Sequence, residues 1–273
     1  MKKIIYLITL SVLVLFSSCT EENITPESDY DIAVVQAFLE PDQEVSVHIS
    51  KMIPFTEEEY TGETTIDSAD VFVNYNGTEY LLSPVIGEPG KYVSLDTTLK
   101  ANSGDSYNLS FDYNGYVVTS NTTIPSIPAN VALSSSVLYV DPNVIGPGSV
   151  QNPIIVSWSN PENAYHLIVV EYLESEYNPI IENLDSTNFD QFRKVSTEPI
   201  LETSYDLKAR QQMMFYGTYK VNIYRINEEY VNLYENVSQS SLNLTEPLTN
   251  IENGLGIFTG VNLVSLTLEV IEI

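Results

Sequence analysis

Few residues in this sequence have types and spacings that could do chemistry, and the one that stands apart is Cys19, the only cysteine among 273 residues. A single thiol forms no internal disulfide, so a secreted fold stapled by disulfides is excluded. The two histidines are isolated. His48 sits on the outward side of an alternating stretch, and His166 lies in an apolar run with no acid or cysteine placed to activate it. Neither belongs to an H-E-x-x-H pair, and no G-x-S-x-G elbow occurs. The 37 acidic residues would bring some carboxylates together in any fold, so their abundance is no glycosidase motif. Asp185, Asn188 and Asp190 gather oxygen donors in one segment that could take calcium. They lack the EF-hand spacing and its closing bidentate Glu, and a solvated acidic loop is the simpler reading. Gly254-Leu255-Gly256 precedes a strand-like run and opens no helix, which removes a phosphate-cradling loop. The reading is of a non-enzyme without a cofactor.

The N-terminus gives Cys19 its reason. Lys2 and Lys3 precede an apolar run from Ile4 to Phe16, and Ser17-Ser18 supply small residues before the cysteine. This is the pattern of a signal peptide over residues 1–18, and the run is shorter than the ~20 apolar residues needed to span a bilayer. Phe16 to Cys19 resembles a bacterial lipobox, with Phe16 where that pattern prefers Leu. Its thiol would be acylated and become the new N-terminus, leaving residues 19–30 as a lipidated tether. Each buried acyl methylene contributes about 0.8 kcal/mol, so two or more chains anchor stably. Glu21 and Glu22 resemble the surface-export signal of Bacteroidota lipoproteins, which gives an expected location on the outer membrane, facing the exterior. The net charge of −26 excludes nucleic acid as a partner. It also gives no attraction to an anionic membrane, so the lipid must do the anchoring.

The elements that follow are strand-like nearly throughout. Residues 32–39 form a continuous apolar run, and Val45, Val47 and Ile49 alternate with polar neighbours. Asn76-Gly77 and Asn114-Gly115 each stand between apolar runs, the strongest short hairpin signal because both turn positions need positive φ. Residues 31–125 therefore read as an N-terminal β-sandwich. Ile124-Pro125-Ser126-Ile127-Pro128 is a stiff connector. Residues 130–273 read as a second sandwich of fibronectin type III kind, with the only tryptophan, Trp158, on an early strand and a later Tyr219–Ile226 strand. Asn227, Glu228 and Glu229 open a helix near 228–240, with Tyr230, Leu233, Tyr234 and Val237 as its apolar stripe. A second short helix is indicated around Asn188 to Lys194. The fold class is all-β: two immunoglobulin- or fibronectin III-like β-sandwiches in tandem, with one or two short helices in the second.

Asp67-Ser68-Ala69, Asp96-Thr97-Thr98 and Asp185-Ser186-Thr187 resemble the O-glycosylation motif of exported Bacteroidota proteins, making Ser68, Thr97 and Ser186 candidate acceptors. Val35 to Leu39, Ala69 to Val73, Gly90-Lys91-Tyr92, Thr123-Ile124-Pro125 and above all Asn250 to Phe258 resemble the lipoprotein family known as domain of unknown function 4249. That resemblance implies an outer-membrane lipoprotein, often encoded beside a TonB-dependent receptor, with no catalytic residues to carry over. The expected function is thus a surface lipoprotein accessory to a TonB-dependent transporter. The alternative is an independent glycan- or peptide-binding or adhesive module, for which the 19 tyrosines offer contact surface; a hydrolase ranks third.

Overall fold

The computed structural model describes residues 31–53, 64–142, 152–181, 184, 186–238 and 249–273. Cys19, Glu21 and Glu22, with the signal peptide and tether, lie outside them, as does Asp185. Among the described residues no helix is long and apolar enough to cross a membrane.

The first seven strands are β1 (Ala33–Leu39), β2 (Ser46–Lys51), β3 (Val71–Tyr75), β4 (Thr78–Pro84), β5 (Lys91–Ser94), β6 (Ser106–Tyr113) and β7 (Tyr116–Thr123). They form one sheet in the order β1-β2-β5-β4-β3-β6-β7. Both hairpin signals are realised: Asn76 and Asn114 take φ of 52° and 50°, followed by Gly77 and Gly115 at 77° and 81°. Alternation places Val35, Val47, Val73, Leu109 and Val118 inside. Two fully buried tyrosines satisfy their phenols on loop backbone. Tyr92 donates to the Ile66 carbonyl at 2.7 Å, and Tyr107 to the Lys100 carbonyl at 2.7 Å.

The second sandwich holds β8 (Ala129–Leu133), β9 (Val137–Val140), β10 (Ile154–Ser159), β11 (Tyr165–Tyr172), β12 (Lys194–Ser196), β13 (Ser204–Leu207), β14 (Gly217–Ile226) and β15 (Leu255–Glu272). A three-stranded sheet, β13-β10-β8, packs on β12-β11-β14-β15, to which β9 adds beside β15. Val156, Trp158 and Leu207 from one sheet meet Ile168, Val221 and Leu268 from the other. This is the strand order of an immunoglobulin- or fibronectin III-like sandwich whose first strand is split between the sheets. Tyr219 supplies its tyrosine corner: the phenol donates to the Phe215 carbonyl at 2.9 Å and accepts the Phe215 N–H at 2.8 Å.

One strand joins the two units. Leu255 to Gly260 of β15 pair in parallel with Val34 to Leu39, and Val261 to Val270 pair antiparallel with β14. The result is a continuous 12-stranded sheet. A division at residue 125 would have placed this strand wholly in the second unit, yet it begins in the sheet of the first. At the far edge of that sheet, Thr119 and Glu252 exchange backbone hydrogen bonds of 3.2 and 2.8 Å. The first sheet thus curls until β7 meets the chain entering β15.

Helix α1 (Glu228–Ser238) and a 3-10 helix (Ser186–Phe192) are the helical elements among the described residues. α1 starts where expected, with the Asn227 carbonyl accepting the Tyr230 N–H at 3.1 Å, but the Asn227 side chain reaches away from the helix: its amide donates to Thr122 Oγ1 at 3.2 Å and the Thr123 carbonyl at 2.9 Å. That ties the helix start to the first unit. The buried face centres on Val231, which packs with Leu167, Val169, Ile226 and Val261, while Tyr234 faces solvent. Tyr230 meets Phe38 of β1 edge-on at 6.1 Å, so the helix is rotated to serve both units. The Val237 side chain lies outside the described ones.

Candidate functional site

The residues that carry chemical potential in the sequence are placed as structure. His166 is buried, its Nδ1 lies 3.0 Å from the Ala164 carbonyl, and its ring sits 5.3 Å from that of Trp158. Burial pushes its pKa down, with a smaller lowering from Arg225, so the ring is a neutral core group. His48 is half-buried on β2, between Gln36 and Lys91 of the flanking strands. Among the described residues no cluster of His, Cys, Asp and Glu could hold a metal. In the acidic segment, Asp190 accepts the Tyr177 phenol at 2.5 Å, and the Arg193 guanidinium stands over the Tyr177 ring at 5.9 Å. The Asn188 and Ser186 side chains lie outside the described ones.

Ser68 and Thr97 are both exposed, each beside an aspartate that shapes the turn presenting it. Asp67 accepts the Gly90 N–H and the Thr65 hydroxyl, and Asp96 accepts the Thr98 N–H at 2.8 Å and its hydroxyl at 2.6 Å.

The Asn250–Phe258 motif is a closure device. The Asn250 amide grips both backbone groups of Phe258, donating to its carbonyl at 2.7 Å and accepting its N–H at 3.1 Å. Asn253, at φ 58°, donates to the Val117 carbonyl at 2.9 Å. At Gly256, φ is 100° and a Cβ would lie 2.0 Å from the Val35 carbonyl oxygen. Only glycine admits β1 that closely.

The sheet's outer faces divide sharply. Over β11, β14 and the middle of β15 the outer face is apolar and covered by α1. Over β4, β3, β6 and β7 it is polar and open. One row there runs Glu79, Asn74, Asn108, Asn121 across the four strands, and the next runs Leu81, Phe72, Ser110, Thr119. A third, on the two last strands, is Ser106 and Thr123, whose hydroxyls lie 2.8 Å apart. Asn108 and Asn121 are exposed, Asn74 and Phe72 half-buried, and Leu81 is 54% exposed. Sequence reasoning did not single out this face. The two Asn-Gly turns fix Asn74 opposite Glu79 and Asn108 opposite Asn121, but nothing in the sequence announces that β3 pairs with β6.

Strand order, the two packed sheets of the second unit and the tyrosine corner define an all-β protein in which an immunoglobulin- or fibronectin III-like sandwich is fused, through a shared strand, to a first unit built of one curled sheet. The chain belongs to the family described as domain of unknown function, DUF4249, which it matches over residues 21–267. Among solved structures it is similar to a crystal structure of titin domains, at 8% identity over 88% of this chain and 67% of that one, with a TM-score of 0.23. It is also similar to the FN1-FN3 domains of chicken CNTN1, at 13% identity over 72% of this chain and 62% of that one, with a TM-score of 0.26. No curated protein matches it.

Proposed function

We propose that this protein is a non-enzymatic binding module held at the outer membrane by a lipid on Cys19, routed to the exterior by Glu21 and Glu22, and acting as an accessory of a TonB-dependent transporter. The observation that carries the reading is the path of β15. At about 3.4 Å per residue its 18 residues make a rigid spine of roughly 60 Å. Because β1 and β15 run in parallel, the point where the tether would enter and the end of the chain lie at opposite poles. Asp31, the first described residue, is fastened at the first pole: its carboxylate accepts the Tyr113 phenol and its carbonyl accepts the Asn114 amide at 3.1 Å. A stiff body with a fixed attachment and loops presented at the other end suits a docking role, since little order is lost on binding.

Extraction in mild detergent and affinity purification of the acylated chain is the test. Co-purification of an outer-membrane β-barrel is expected, and its repeated absence would remove the transporter. Cys19→Ala should release the protein to the soluble fraction; continued membrane residence would remove the lipid. The open amide-lined face favours a second reading, a module that binds extracellular polymers on its own account.

A further inference from the structure

We infer that the outer face of β4, β3, β6 and β7 is a binding surface for a neutral polysaccharide; this deepens the reading of the chain as a binding module and rests on it. Asn74, Asn108 and Asn121 stand on three adjacent strands in one row. Neighbouring strands are about 4.8 Å apart, close to the length of a pyranose ring, so consecutive amides can meet consecutive sugars. Among the described residues none of the three amides has a hydrogen-bond partner within the protein. Each offers a donor and an acceptor side by side, the pairing that vicinal hydroxyls answer. The adjoining row sets Phe72 and Leu81 next to them, an apolar step on which the C–H face of a sugar can rest. Ser110, Thr119, Ser106 and Thr123 continue the surface with hydroxyls.

Charge selects the occupant. The chain carries −26 overall and repels polyanions, which sets aside acidic polysaccharides and nucleic acid. A cationic peptide would need carboxylates along its path, and here Glu79, Asp112 and Glu252, which accepts the Thr119 hydroxyl at 3.1 Å, stand only at the margins of the amide row. A second copy of the chain would need a contiguous apolar interface core, and Phe72, Leu81 and Val117, with Val117 set apart in the row of Asp112, do not make one. The backbone of all four strands is already fixed in the sheet, so a flexible neutral polymer alone bears the ordering cost.

Affinity electrophoresis of the full-length acylated chain in mild detergent tests this, with gels containing dextran, mannan or xylan, and alginate as the polyanion. Retardation by at least one neutral polymer and none by alginate is expected. Replacing Asn74, Asn108 and Asn121 together by Ala should weaken it at least about tenfold, the loss of three hydrogen bonds, without moving the melting temperature. Phe72→Ala should weaken it separately. Absence of retardation by all three neutral polymers, equal retardation by alginate, or retardation unchanged in the triple variant would each overturn the inference. A β-barrel co-purifying with a protein that no polymer retards would sink this inference and leave the accessory reading standing; failure of both experiments would sink both.

Discussion

The two units share a strand but solve the problem of closure differently. The second closes as two facing sheets, with Trp158, Tyr219 and Leu268 between them and α1 covering its apolar outer face. The first is one sheet that curls until β7 reaches the chain at Asn250–Glu252, and it is complete only when Leu255 to Gly260 take their place beside β1. Closure of the first unit therefore depends on residues that also begin the last strand of the second. The two cannot be independent in stability, and the first is the more exposed to changes near the chain's end.

The largest effect should come from breaking that closure. Gly256→Ala forces a Cβ to 2.0 Å from the Val35 carbonyl oxygen at φ 100°, whereas Gly77→Ala, at φ 77°, meets nothing within 4 Å. The first should cost about 3–5 kcal/mol and the second about 1 kcal/mol. In thermal melts Gly256→Ala should fall by about 10 °C, with both units lost in a single transition because β15 belongs to each. Equal shifts for the two glycines would refute the closure account, and a separate early transition of the first unit alone would show that the shared strand does not couple them.

That asymmetry also marks what the sequence makes legible. Hairpins at Asn76-Gly77 and Asn114-Gly115, the alternation in β2, the single strands of the second sandwich and the helix after Asn227 are all local, set by turn conformation and periodicity over a few residues. The pairing of Val34 with Leu255 is not local, and no periodic signal in either segment names its partner. The same holds for the candidate face. Each asparagine reads as an ordinary outward strand residue, and only the β3–β6 register brings three of them into one row. The 250–258 motif was visible as a pattern but not as a purpose, because its glycines report a close approach of another strand.

Asn250→Ala comes next. It removes both hydrogen bonds to Phe258 and leaves backbone groups of a buried residue unpaired, a loss of about 2 kcal/mol. Tyr219→Phe takes the corresponding latch from the second unit, freeing the Phe215 carbonyl and N–H, and should cost about 1–2 kcal/mol. Denaturant midpoints at unchanged slope measure both. A costlier Tyr219→Phe would reverse the ranking of the two units and make the tyrosine corner, not the closing motif, the weaker point of the fused body.

The smallest effect separates the two regions by pH. In the second unit, burial lowers the native pKa of His166. Its contribution is full above the ordinary histidine value of about 6.5 and is lost as pH falls below that value through the lowered native one, because the unfolded chain takes up the proton first. In the first unit, the Tyr113 phenol, then the Asn114 amide, hold Asp31 below the ordinary carboxylate value. Its contribution is full only above that value, near 4, and fades below it. The cation-poor composition explains the device: with 11 basic residues against 37 acidic ones, tyrosines act as the donors, as Tyr75 does for Asp105 at 2.5 Å and Tyr177 for Asp190. Acidification should thus weaken His166's surroundings from about pH 6.5 downward and release Asp31 from the β6–β7 hairpin only near pH 4 and below. Amide hydrogen exchange across that range reads both events in one sample. Tyr113→Phe should raise the Asp31 pKa, so that the tether point loosens at higher pH while exchange around His166 stays unchanged. Equal loosening of both sites would mean that the shared strand transmits the local change along its whole length.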